Sequence, residues 1–299
     1  PLTPARALAP ERAPGRTRRT PVRHAEAGPP PRPGLFRPGQ SRERTAPMTD
    51  TLRARMLAGE TLAGTFLKTP AHQLVEVLAL SGLDFVCLDA EHCPFDRGRT
   101  DACLAVATAL GLPALVRVPW GRPELIQAAL DAGATGIVVP HVRSAGDAAG
   151  IARAARFGNG GRGFAGSTRW AGLGGAPMTE LLARSAEETV VVAMIEEPEG
   201  VEAAHQIAAT EGVDALMIGP ADLSVAMGKT DLNSPELAAA YETVGAACAA
   251  AGKAFATWVP DADQAQARHA AGVRVFLTAS EHAWMLQGAR AAAAGIKAL

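Results

Sequence analysis

Two carboxylates follow apolar runs of the sequence and could bind a divalent cation. Glu196 ends the run that begins at Val190, and Asp222 comes three residues after the run 215–219. A carboxylate that follows an apolar strand is costly to desolvate unless it is paired or binds an ion. Two such groups, with water and substrate oxygens completing an octahedron, suit Mg²⁺ or Mn²⁺. The pair therefore predicts a metal site, with two solvated loop residues as the alternative.

Two basic side chains near other apolar runs could act on an anionic substrate. Arg117 lies within the apolar run 115–118. It either forms a buried ion pair with a neighbouring strand or clamps a carboxylate or enolate oxygen. His92 lies just past the run that ends at Asp89, so it is a candidate general acid or base, or a capping histidine. Asp131, at the end of a helical stretch, orients His92 or simply ends the helix.

Alternating apolar and helical patterns predict the elements that must position these side chains. The apolar runs predict strands at 63–67, 84–89, 114–118, 136–140, 190–196, 215–219, 254–258 and 274–278. Helical patterns follow near 70–81, 96–110, 122–132, 144–157, 176–187, 199–210, 235–251 and 261–271, with a last helix near 281–296. The strand runs are apolar throughout, which is typical of parallel strands covered by helices.

Eight strand and helix units in about 250 residues predict an α/β fold of the (β/α)₈ TIM-barrel type with an extra C-terminal helix. An open doubly wound sheet is the rival architecture, but no G-x-G-x-x-G motif follows the first strand. The carboxyl ends of barrel strands meet at one mouth, where active sites form. We therefore expect the side chains named above to converge there.

Residues 1–47 differ in composition from the rest of the chain. They hold 11 of the 22 prolines and ten arginines against three glutamates, a formal charge of +7 in a chain whose total is −1. The remainder therefore carries −8. A segment so poor in apolar residues cannot offset its ordering entropy. We predict a disordered leader over residues 1–47, which a misplaced start codon would explain, and a single domain over residues 48–299. An organelle transit peptide or an anion-binding arm is the alternative interpretation of residues 1–47.

Composition excludes several classes of function. The acidic balance after residue 47 argues against a nucleic-acid-binding surface. No apolar run reaches the roughly 18 residues that span a bilayer, and no apolar secretion signal opens the sequence. The four cysteines form no C-x-x-C pair and are interpreted as free thiols. We expect a cytoplasmic enzyme that acts on a small molecule, with no nucleic-acid or membrane partner.

Five short motifs, taken in their order and spacing, carry a family resemblance. They are LDAEH at 88–92, VRVPW at 116–120, GRG at 161–163, IE at 195–196 and IGPADLS at 218–224. Together they resemble the HpcH/HpaI aldolase family of phosphoenolpyruvate/pyruvate-binding barrels, which includes 4-hydroxy-2-oxoheptanedioate aldolase and 2-dehydro-3-deoxyglucarate aldolase. The resemblance extends from about Gly59 to the last helix, and the motif at 218–224 is its strongest part.

The resemblance implies a class II aldolase, a carbon–carbon lyase that reversibly cleaves a 4-hydroxy-2-oxoacid into pyruvate and an aldehyde with Mg²⁺, Mn²⁺ or Co²⁺. It implies that Glu196 and Asp222 ligate the metal, which pyruvate chelates. Arg117 would stabilise the enolate, and His92, oriented by Asp131, would move protons on the aldehyde side. We therefore expect Arg117→Ala to abolish cleavage while the fold stays intact. A homo-oligomer, a hexamer or a dimer, is also implied.

Residues expected to contact the substrate depart from the family pattern at two positions. The expected substrate-binding residues are Gly219, Pro220, Ala221, Phe66, Asp89 and Met194. Met194 stands where family members commonly carry Gln, and Phe66 where they carry Trp. We expect these changes to affect the choice of aldehyde more than the pyruvate chemistry.

Three other functions share the predicted site. A citryl- or malyl-thioester lyase would need a basic surface that binds coenzyme A. An oxaloacetate decarboxylase would use the same enolate. A non-catalytic barrel that only binds a carboxylate is the third alternative. Metal-independent turnover would exclude the aldolase mechanism.

Overall fold

The computed structural model describes residues 51–158 and 160–299. The predicted leader over residues 1–47, and the start of the predicted domain at Met48, lie outside the described residues. Within the described part of the chain, eight parallel strands close into a barrel in which each strand pairs with the next and the eighth pairs with the first. This confirms the predicted (β/α)₈ TIM barrel.

The eight strands form where the apolar runs predict them, each within two residues at either end. They are β1 (Leu62–Leu67), β2 (Phe85–Asp89), β3 (Ala114–Arg117), β4 (Gly136–Val139), β5 (Val190–Ile195), β6 (Ala215–Ile218), β7 (Ala254–Val259) and β8 (Val275–Ser280).

The helices cover the outside of the barrel. They are α1 (Leu52–Leu57), α2 (His72–Ala79), α3 (Arg97–Leu110), α4 (Pro123–Asp131), α5 (Ala145–Ala155), α6 (Met178–Glu188), α7 (Pro198–Glu202), α8 (Ala204–Ala208), α9 (Pro220–Ala226), α10 (Pro235–Ala251), α11 (Ala262–Ala270) and α12 (Glu281–Lys297). None of the helices in the described residues is long and apolar enough to cross a membrane.

Three helical details differ from the sequence prediction, and the first is that α1 was not predicted. The single helix expected over 199–210 is two short helices, because Ala203 ends α7 and begins α8 with φ −89° and ψ 4°. The short helix α9 was not predicted. The sequence nevertheless carries two signals for it. Pro220 occupies the first turn, where the backbone N–H that proline lacks has no partner within the helix, and Asp222 places a negative charge beside the positive end of the helix dipole.

Strand alternation divides the apolar core into two layers. In β3 to β6, residues such as Leu115, Val138 and Met194 point into the barrel, whereas their neighbours Val116 and Ile195 point outward against the helices. The inner layer fills the barrel, and the outer layer joins it to the helices. The same alternation, continued to the last residue of each strand, decides which polar side chains reach the mouth.

Candidate functional site

Three buried charged side chains extend the inward-facing rows of the barrel to its carboxyl-end mouth. Asp89 stands two residues after inward-facing Cys87, Arg117 two after Leu115, and Glu196 two after Met194. Their exposed fractions are 0%, 6% and 2%. Because the side-chain period of a strand is two, the sequence itself sends these three groups to one place.

Arg117 is held by two carboxylates. Asp89 is its register partner on β2, and it accepts hydrogen bonds from Arg117 Nε at 3.1 Å and Nη2 at 2.7 Å. Glu91 Oε2 lies 3.3 Å from the same Nε, and the guanidinium carbon sits 4.4 Å from the centre of the Phe66 ring. The guanidinium is therefore fixed in orientation. It forms a buried ion pair, which is one of the two interpretations that the sequence left open for Arg117.

Burial alone would oppose ionisation of Asp89. The hydrogen bonds and charge of Arg117 outweigh that effect and hold the pKa of Asp89 below its ordinary value. Asp89 also accepts a hydrogen bond from the backbone N–H of His92 at 3.1 Å. Asp89 is fully buried and both of its oxygens are engaged, so it positions Arg117 in this structure. Its contact with the substrate stays a prediction.

His141 is a central residue of the site that sequence reasoning did not assign. It follows β4 with a φ of 57°, and its N–H donates to Glu196 Oε1 at 2.8 Å. Its Nδ1 lies 2.7 Å from Glu197 Oε1 and 3.1 Å from Glu196 Oε1, and its Nε2 lies 3.7 Å from Glu91 Oε1. The rule that selected Glu196, a polar residue just past an apolar strand, would also have selected His141.

The charge on His141 depends on these neighbours. Partial burial lowers the pKa of its imidazole, but the hydrogen bond to Glu197 and the charges of Glu196, Glu197 and Glu91 outweigh burial and raise it above the ordinary value. The imidazole and the three carboxylates therefore form one electrostatic unit.

Glu91, His141 and Glu196 form a cluster that could hold a divalent cation. One ligand atom from each residue lies within 4.8 Å of the others. Burial raises the pKa of Glu196 to about 7 and also raises the pKa of Glu91. The positive charges of His141 and Arg117 therefore do not fully offset the cost of burying these two carboxylates. Glu91 Oε2 is buried and accepts no hydrogen bond, although Arg117 Nε is near. A bound cation would neutralise these oxygens, and carboxylate and imidazole donors suit it.

Asp222 lies in the first turn of α9 with its side chain exposed. It is close enough for its charge to raise the pKa values of both Glu91 and Glu196. It is not one of the three donors in the cluster. The predicted pair of Glu196 and Asp222 therefore shares one electrostatic environment, and the structure adds Glu91 and His141 beside Glu196.

The backbone of Gly219 lies against the inward-facing residues of β5. A Cβ atom on Gly219 would come within 2.6 Å of Met194 Cε and 3.0 Å of Glu196 Oε2. Pro220 and Ala221 follow in the first turn of α9. Among the residues expected to contact substrate, Gly219 and Met194 thus border the cluster directly, and Phe66 lies beneath Arg117.

His92 and Asp131 do not contact each other in this chain. The His92 side chain is 59% exposed, and its Nε2 lies 3.7 Å from Glu91 Oε2. The Asp131 carboxylate accepts hydrogen bonds from Nε and Nη2 of Arg162, whose side chain is fully buried between the rings of Phe157 and Trp170. Because the carboxylate of Asp131 is bound by Arg162, Asp131 does not contact or orient His92 within the described residues.

Comparison with known proteins places this geometry in a family. The sequence matches the HpcH/HpaI aldolase/citrate lyase family over residues 62–285. A hydroxypyruvate/pyruvate aldolase of Paraburkholderia phytofirmans is 32% identical over 252 residues, which cover 82% of this chain and 96% of that protein. A 5-keto-4-deoxy-D-glucarate aldolase of Klebsiella pneumoniae is 35% identical over 180 residues, or 60% of this chain and 70% of that protein.

A solved structure gives the same result. An HpcH/HpaI aldolase/citrate lyase family protein from Burkholderia cenocepacia J2315 superposes with a TM-score of 0.77 at 34% identity, and the match covers 82% of this chain and 98% of that one. The motifs, the closed barrel and these matches agree. The chain belongs to the HpcH/HpaI aldolase/citrate lyase family.

Proposed function

We propose that this chain is a metal-dependent aldolase that reversibly cleaves a 4-hydroxy-2-oxoacid into pyruvate and an aldehyde. One observation supports the proposal most strongly. The guanidinium of Arg117 is held in one orientation beside a cluster of possible metal ligands at the barrel mouth. The cluster consists of Glu91, His141 and Glu196. A fixed cation next to a candidate cation site suits a small ketoacid whose negative charge grows during the reaction.

The metal is assigned to Glu196 and Asp222, with Glu91 and His141 bordering it. A divalent cation such as Mg²⁺, Mn²⁺ or Co²⁺ bound there would supply Lewis-acid assistance to the removal of a proton from the methyl group of pyruvate. No lysine Schiff base is then required.

The other residues bind, orient and move protons. The guanidinium of Arg117 binds the oxygen on which negative charge develops, and Asp89 keeps it in place. The backbone amides of Ala221 and Asp222, in the first turn of α9, bind the ketoacid carboxylate. Exposed His92 moves a proton on the aldehyde side. Met194 offers no polar contact at the position commonly held by Gln.

Two alternatives use the same groups. Oxaloacetate decarboxylation passes through the same enolate, and a citryl- or malyl-thioester lyase breaks a similar bond. One relative is named hydroxypyruvate/pyruvate aldolase, and this name favours a free ketoacid over a thioester as the substrate of this chain. The acidic charge of residues after 47 also disfavours a coenzyme A thioester.

Release of pyruvate from a panel of 4-hydroxy-2-oxoacids tests the proposal. We expect turnover with Mg²⁺, Mn²⁺ or Co²⁺, loss of turnover after treatment with a chelator, and recovery when the metal is restored. Oxaloacetate, assayed for release of pyruvate and carbon dioxide, and a malyl thioester, assayed for release of glyoxylate, are tested in parallel as alternative substrates. Full turnover in the presence of the chelator would reject the metal-dependent mechanism.

We also propose that the chain forms a homo-oligomer through α12. All side chains after Glu281 in this helix are exposed, including Trp284, Met285, Leu286 and Ile296 at 36%, 60%, 51% and 70%. Apolar surface of this kind is uncommon on a monomer and suits packing on a second copy. Sedimentation should give a mass of a dimer or hexamer, reduced by Leu286→Glu. A monomeric wild type would reject this proposal.

A further inference from the structure

The two carboxylate oxygens of Glu196 have different surroundings. Oε1 accepts a hydrogen bond from the backbone N–H of His141 at 2.8 Å and lies 3.1 Å from Nδ1 of the same residue. Oε2 makes no hydrogen bond with a described residue. A Cβ atom on Gly219 would lie 3.0 Å from Oε2, so the lack of a side chain at this position leaves space beside the oxygen. Glu196 therefore has one oxygen bound by the protein and one that is open.

The open oxygen is the one beside the start of α9. Gly219 immediately precedes this helix, and Asp222 lies in its first turn. The negative charge of Asp222 is near enough to act on the Glu196 carboxylate. Oε2 is thus the oxygen of Glu196 that lies toward the second residue to which the metal is assigned.

His141 reaches Oε1 from a backbone conformation that is uncommon for a residue with a side chain. Its φ is 57°, in the left-handed region. Such a conformation persists where the surrounding contacts hold it, and these residues cluster at functional sites. In His141 the conformation directs both the backbone N–H and the imidazole at Glu196.

The imidazole ring is held in one orientation. Nδ1 lies 2.7 Å from Glu197 Oε1 as well as 3.1 Å from Glu196 Oε1. A carboxylate oxygen only accepts hydrogen bonds, so Nδ1 carries the hydrogen. The ring of Trp120 packs on the imidazole, with 4.9 Å between their centres. Rotation of the imidazole would remove both carboxylate contacts, so its N–H stays directed at Glu196 and Glu197.

We propose that His141 is a positioning residue that holds Oε1 of Glu196 and thereby presents Oε2 to the metal. The inference rests on the proposed function, since it concerns the metal site assigned there. His141 acts through Glu196 and does not itself bind the metal. Hydrogen bonds from neighbouring groups orient carboxylate ligands, and their removal weakens metal binding by about 10–100-fold.

Calorimetric titration of the tag-free protein with Mn²⁺ and with Ni²⁺ tests the proposal. His141→Gly keeps the backbone N–H and accepts the positive φ, but it removes the imidazole. We expect it to weaken the binding of both metals by the same factor, about 10–100-fold. A nitrogen ligand would cost far more affinity for Ni²⁺ than for Mn²⁺, because imidazole suits Ni²⁺ and oxygen ligands suit Mn²⁺. Such a difference would make His141 a ligand and overturn the proposal.

Two amide variants test which ring atom acts. In His141→Asn an amide N–H can stand where Nδ1 stands, and asparagine tolerates a positive φ, so we expect wild-type affinity for both metals. In His141→Gln the amide lies farther out, near the position of Nε2, and binding should be as weak as in His141→Gly. This pair also decides the question if the glycine variant does not fold. His205→Asn, at an exposed position on α8, is the matched control and should bind as the wild type does.

Exchange of the methyl protons of pyruvate with solvent deuterium reports on the proposed function alone. If the wild type shows metal-dependent exchange and His141→Gly binds both metals as the wild type does, His141 does not position Glu196, while the proposed function stands. Absence of exchange in the wild type with every divalent metal would overturn the proposed function. The titrations would then still decide whether His141 positions Glu196 for a metal.

Discussion

Glu196→Gln is expected to lower the rate of pyruvate methyl-proton exchange about 10³-fold, to near the background rate. Glutamine keeps the size of the side chain and can still accept the hydrogen bond from the N–H of His141. It removes the negative charge that belongs both to the predicted metal pair and to the observed donor cluster. Exchange is measured by proton NMR in deuterated buffer with excess Mg²⁺.

Calorimetric titration with Mn²⁺ separates loss of metal from loss of fold. We expect Glu196→Gln to abolish measurable binding and Asp222→Ala to weaken it. Glu91→Gln tests whether the third carboxylate is a ligand as well. Glu202→Gln, at an exposed position on α7, is the control and should bind as the wild type does. Wild-type affinity in the Glu196 variant would remove the basis of the proposed metal site.

The same variant has a signature in the pH dependence of stability. Burial raises the pKa of Glu196 from its ordinary 4.5 to about 7 in the folded protein. Between these values the folded, metal-free chain binds a proton that the unfolded chain has released, so the free energy of unfolding falls as pH rises. Glu196→Gln cannot release this proton and should show a flatter profile from about pH 4.5 to 7. Urea unfolding in the presence of a chelator measures it.

Arg117→Gln is expected to remove activity and also to lower the free energy of unfolding by about 3–5 kcal/mol. The activity loss, about 10³-fold in kcat, follows from removal of a fixed charge at the reacting oxygen. The stability loss follows because Asp89, which is fully buried, would keep its charge without a partner. The sequence alone predicts an intact fold for Arg117→Ala. The buried partner makes a destabilised protein the expected result for either substitution.

A second substitution separates the two effects. Asp89→Asn in the Arg117→Gln background removes the unpaired buried charge, so a large part of the lost stability should return while activity stays absent. Arg117→Lys keeps the charge but not the two parallel hydrogen bonds, and we expect it to recover little activity. Urea unfolding and steady-state rates measure the two quantities. Recovery of activity in the double variant would show that Arg117 acts only through stability.

The sequence by itself determined the barrel and the face of each strand. Apolar runs separated by helical patterns are local signals, and all eight strands form where those runs lie. Alternation along a strand is equally local. It places Arg117 and Glu196 in line with inward-facing Leu115 and Met194, so the convergence of these charged groups at the mouth follows from the period of two.

Only the tertiary structure decided which polar groups meet. The register of β2 and β3 sets Asp89 beside Arg117, and closure of β4 against β5 brings His141 to Glu196. Asp131 is bound by Arg162, a residue 31 positions away, instead of by His92. In each of these pairings, several charged side chains could bind the same carboxylate, and the nearest one does. Their outcome depends on lateral distances between strands and loops, which no periodicity along the chain encodes.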